Sequence, residues 1–140
     1  MTYIGKINNN KQKYLYFRTE ATDANDDATG DSALFPASSL MGMQPTSDTA
    51  LTLYFKSMLR GSGNEGAGDA LANLDNNDSV IVTISANTHL AAMRAIVDAI
   101  NNQNSPSLLV IANDDSGGTE YLTDSGISAC GTISVAVAYA

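Results

Sequence analysis

Residues 80–102 read VIVTISANTHLAAMRAIVDAINN, and the change of period inside this stretch decides the fold class. Val80 to Ile84 is a β-branched run, which suits a pleated strand. From Leu90 onward the apolar positions Leu90, Met93, Ile96, Val97 and Ile100 recur at three- and four-residue spacing, the stripe of an amphipathic helix. Asn87 or Thr88 can accept from the first free amides, and Asn101-Asn102 can close the helix in a left-handed turn, so the helix is expected over about 88–101. Downstream, Ser107-Leu108-Leu109-Val110-Ile111-Ala112 is apolar without alternation, the pattern of a strand covered on both faces. Strand, helix and strand have the lengths of a βαβ crossover, although antiparallel pairing fits them equally.

Working outward, Leu51, Leu53 and Phe55 alternate with Thr52, Tyr54 and Lys56, the period of a strand with one buried face. Lys13 to Arg18 is an aromatic-rich strand candidate, Glu120-Tyr121-Leu122 a short one, and Thr132 to Tyr139 alternates Ile133, Val135, Val137 and Tyr139 against small residues. Between these lie polar stretches. Residues 20–34 and Gly61 to Asn77 read as long loops, with one helical turn near Ala70 to Leu74, and Pro45 to Asp48 reads as a turn. The expectation is a single α+β domain over 1–140: mostly antiparallel sheet, one main amphipathic helix packed on a sheet, and long polar loops. Leu53, Val82, Ile96, Val97, Val110 and Val135 are expected to meet in its core.

Charge narrows the partners. Seven Lys and Arg against fifteen Asp and Glu give a net charge of -8, which repels phosphate backbones and anionic lipid heads. No apolar run approaches the roughly 18 residues of a membrane span. Met1 to Lys13 carries Asn8-Asn9-Asn10 where a secretion signal needs an apolar stretch, so the chain is expected to remain in the cell that makes it. Cys130, the single cysteine, lies among small residues and reads as a buried structural thiol.

Catalytic chemistry finds little to work with. His89 is the single histidine, placed in the first helical turn with no nucleophile nearby in the sequence, and it reads as a surface or capping residue. Nucleophile elbows, phosphate loops, paired CxxC and HExxH do not occur, so the chain is expected not to be an enzyme and to need no cofactor. Asp23, Asp26, Asp27 and Asp31 lie close enough in sequence to converge on calcium, with a solvated acidic loop as the alternative. Asp114-Asp115 offers a second, weaker version of that choice. Phe35, Met41, Met43 and Met58 are adaptable apolar anchors for a partner protein, or else core residues.

One longer pattern adds a family resemblance. Residues 30–55 read GDSALFPASSLMGMQPTSDTALTLYF, and with the strand, "NTH" and helix of Val80 to Ile100 they resemble a family of small proteins of marine tailed phages, notably cyanophages. The likeness covers roughly residues 13–115, and the family has no catalytic signature. It implies a virion structural protein made in the host cytoplasm, of a size suited to a capsid decoration or cement protein. Its expected partners are the major capsid protein or another virion protein and its own copies, a trimer being the expected oligomer. A tail or neck component, or a small-ligand or calcium-binding module outside the virion, is the alternative.

Overall fold

The computed structural model describes residues 12–58 and 77–135. Among the described residues the strands are β1 (Tyr14–Arg18), β2 (Ser32–Pro36), β3 (Leu40–Ser47), β4 (Ala50–Phe55), β5 (Asp78–Ile84), β6 (Leu108–Asn113), β7 (Glu120–Tyr121) and β8 (Ile127–Ser134), with one α-helix, α1 (His89–Asn101). The expected turn near Ala70 to Leu74, most of the Gly61 to Asn77 loop, and Val137 and Tyr139 lie outside the described residues.

The strands form two four-stranded sheets, β2-β1-β6-β7 (sheet A) and β3-β4-β5-β8 (sheet B). Every pairing is antiparallel except β1 with β6. The fold is thus α+β, as the alternation of periods indicates. The candidate βαβ unit resolves differently: β5 and β6 belong to different sheets, so α1 carries the chain from sheet B to sheet A.

Alternation fills the space between the sheets. All three phenylalanines meet there: Phe35 stacks on Phe55 with centroids 4.1 Å apart, and Phe17 sets an edge against each, at 6.1 Å and 5.9 Å. Offset and edge-on rings of this kind add to their burial through complementary ring electrostatics. Leu15, Leu51, Leu53, Val80, Val82, Ile84, Ala92, Ile96, Ile111 and Ala112 are buried with them. Gly131 answers a steric demand, since a Cβ there would come within 2.8 Å of the Ile81 carbonyl oxygen on the neighbouring strand.

The helix buries Ala92 and Ile96, while Leu90 and Val97 stand 63% and 43% exposed, so the inward stripe is narrower than the spacing suggests. Its end differs too. Asn102 is extended (φ -81, ψ 112) instead of left-handed, and its carbonyl is taken by the buried Lys13 ammonium at 3.1 Å, which also reaches the Ser105 carbonyl at 2.6 Å. A cation there complements the negative end of the helix dipole. Thr88 turns its hydroxyl back to the Ser85 carbonyl and makes no side-chain cap, while Asn87 takes the left-handed conformation before it (φ 61).

Candidate functional site

Sheet A is apolar on both faces, and the described residues cover only one of them. In β1 and β2, Leu15 sits opposite Phe35 and points inward, while Tyr14 sits opposite Pro36 and Tyr16 opposite Leu34 on the other side. The parallel neighbour continues the row, with Tyr14 beside Leu108 and Tyr16 beside Val110. Residues in register share a face. Tyr14, Tyr16, Leu34, Pro36, Leu108 and Val110 therefore form one outer patch. Tyr14, Leu34 and Leu108 are 38%, 42% and 47% exposed, and Tyr16, Pro36 and Val110 are half-buried. The expectation that residues 107–112 are covered on both faces is corrected here, and Val110 leaves the expected core with it. Val135 is half-buried against that core.

Arg18 closes one end of this face. It is buried, and its Nη2 donates to Asp23 Oδ1 at 2.9 Å, its Nε to the Glu20 carbonyl at 2.6 Å, and its Nη1 lies 3.8 Å from Asp26 and 3.7 Å from Asp115. The hydrogen bond to Asp23 raises the guanidinium pKa above its ordinary value against the opposing effect of burial. Asp31 has another task, accepting the amides of Asp27 at 3.1 Å and Ala28 at 2.8 Å. Of Asp23, Asp26, Asp27 and Asp31, two therefore face a cation already present in the chain and one caps its own loop. Among the described residues no group of three or more His, Cys, Asp or Glu side chains is placed to hold a metal ion.

The expected anchors separate in the same way. Phe35 is wholly buried and stacked on Phe55, so it is a core residue and not a docking residue. Met43 is half-buried against the core, and Met41 and Met58 are exposed. His89 Nε2 lies 2.7 Å from the Ser47 carbonyl, which can only accept, so Nε2 carries the proton and ties α1 to the end of β3.

Asp114 links the two sheets. Its carboxylate accepts the Tyr121 hydroxyl and the Cys130 amide, at 3.2 and 3.1 Å for the latter. Burial, aided by Asp114, pushes the Tyr121 phenol up to about 12, and burial followed by Asp114 pushes the Cys130 thiol up to about 12. Cys130 is buried and protonated at neutral pH, in line with the reading of a structural thiol.

A groove of about 470 Å³ adjoins the outer patch and shares Leu108 and Val110 with it. Ala95 and Ala99 of α1 and Leu122 beyond β7 line it, with Asp98, Glu120 and Asp124 among its polar residues. No protein family, curated protein or solved structure matches this chain.

Proposed function

We propose that this chain is a non-catalytic virion structural protein, a decoration or cement protein that docks on the major capsid protein lattice through the outer face of sheet A. The observation that carries this reading is the in-register patch of Tyr14, Tyr16, Leu34, Pro36, Leu108 and Val110, open to solvent in a chain of net charge -8. A contiguous exposed apolar face is costly for a free monomer and gives a partner a dry centre to bury. Two tyrosines in it supply large contact area at little rotamer entropy. The surrounding negative charge keeps the free protein soluble and turns it away from nucleic acid and anionic membrane. The resemblance of residues 30–55 to small proteins of marine tailed phages supplies the lattice as the partner. Shell symmetry axes favour cyclic oligomers, and a trimer that repeats one modest contact gains avidity from it.

The test is a protein census of purified particles together with the mass of the free protein in solution. Hundreds of copies per particle and a trimeric mass are expected. About a dozen copies would move the chain to the neck or tail. Its absence from particles, with a monomeric mass, would overturn the reading.

A further inference from the structure

Among the described residues, the edge of sheet A is left open inside the groove. β6 pairs with β1 from Leu108 to Asn113, with one register shift that passes over Ile111. On its other side β7 pairs with it only at Ala112 and Asn113, and the Leu122 amide adds one bond to the Ile111 carbonyl at 3.1 Å. Past Leu122 the chain turns away through Asp124 (φ 65) and Gly126 (φ 76). Over Leu108–Val110, therefore, no strand among the described residues stands beside β6 on the side away from β1. Those same residues line the groove, with α1 opposite.

Charge gives the second half of the argument. Asp98, Glu120 and Asp124 line this groove, and none has an ion-pair partner among the described residues. Carboxylates gathered around an apolar cleft raise the local concentration of cations, and low-dielectric walls strengthen that field. An exposed strand edge is in turn a template for another chain, through main-chain hydrogen bonds that need no particular sequence.

We infer that the groove receives an extended segment of a partner protein, added antiparallel along Leu108–Val110 in the row that β7 leaves, with lysine or arginine between apolar residues. At roughly 3.3 Å per residue this edge takes about three residues of partner strand. Side chains on one face of that strand meet Leu108 and Val110, and the basic groups meet Asp98, Glu120 and Asp124. The inference deepens the virion reading and rests on it only for the identity of the protein that supplies the segment.

The test uses the full chain, isotopically labelled, and two synthetic heptapeptides, one alternating valine with lysine and one alternating valine with glutamate. The lysine peptide is expected to shift the amide resonances of Leu108 and Val110 and slow their exchange, and the glutamate peptide to leave both unchanged. The triple variant Asp98→Asn, Glu120→Gln, Asp124→Asn should weaken lysine-peptide binding by roughly tenfold or more with Tm unchanged. Asp27→Asn with Asp48→Asn, away from the groove, should not. Equal binding of both peptides, an unaffected triple variant, or no binding of the lysine peptide at millimolar concentration would overturn the inference. A chain found on particles whose groove refuses the lysine peptide refutes the groove and leaves the virion reading standing. A chain that binds the peptide but is absent from particles does the reverse.

Discussion

The two faces of sheet A are both apolar and have opposite fates. On the inner face Leu15, Phe17, Phe35, Leu109 and Ile111 are buried against sheet B. On the outer face Tyr14, Leu34 and Leu108 meet water. Hydrophobicity alone cannot tell these faces apart, because both are apolar at the period of two. What separates them is whether another layer of the chain lies on top. An apolar face that the fold leaves open is where a partner gains the most by burying it.

Core substitutions should break the comparison most visibly. Phe17→Ala removes a ring that touches both Phe35 and Phe55 and is expected to cost about 3–5 kcal/mol in urea denaturation. Ile96→Ala, on the buried side of α1, should cost about 2–5 kcal/mol. A cost below half a kilocalorie per mole at either site would mean that the inner layer has been misplaced.

Alkaline pH sharpens the same contrast, because the interior resists charge. Tyr121 and Cys130 hold their protons to about pH 12 in the folded chain, against ordinary values of 10.0 and 9.0. Between about pH 9 and pH 12 the unfolded chain has lost protons that the folded chain keeps. Stability must then fall as pH rises through this window and be insensitive to these groups below it. Cys130→Ala should flatten the lower part of the decline. A melting temperature that stays level from pH 8 to pH 11 would contradict the burial of both groups.

Outer-face substitutions come next in size. Leu108→Ala should cost less than about 1 kcal/mol, since its side chain is already half in water. Should it cost as much as Phe17→Ala, the outer face is covered within the folded chain and the contrast between the faces disappears. The smallest effect belongs to Val97→Ala, within about 0.5 kcal/mol by the same denaturation measurement, because that residue projects from α1.

Much of the framework was legible in the sequence where periodicity was strong: β1, β4, β5, β6 and α1 lie within a residue or two of their expected places. β2 and β3 were not. Ser32–Pro36 follows a dense run of Asp, Asn and Gly, and β3 contains Pro45 and two register shifts, so turn chemistry masks a strand in both. In β3 this is the usual disguise of an edge strand, where proline and bulges discourage pairing with another chain. The order within the acidic loop was not legible for a different reason. Its organising cation, Arg18, precedes it at the end of β1; Asp23 and Asp26 turn back to it from the loop itself, and the return of the chain after β6 adds Asp115. The outer patch had a faint signal in Tyr14 and Tyr16, which present a polar tip at alternate positions of an otherwise apolar strand.

Occupancy on purified particles, compared between the native chain and the double variant Leu34→Asp, Leu108→Asp, tests the central claim most directly. Both substitutions fall on exposed positions of the outer face, so the variant should fold with a near-native melting temperature. The account predicts that the native chain is retained in hundreds of copies and that the folded variant is lost from the particles. Retention of the folded variant at native copy number would contradict docking through this face.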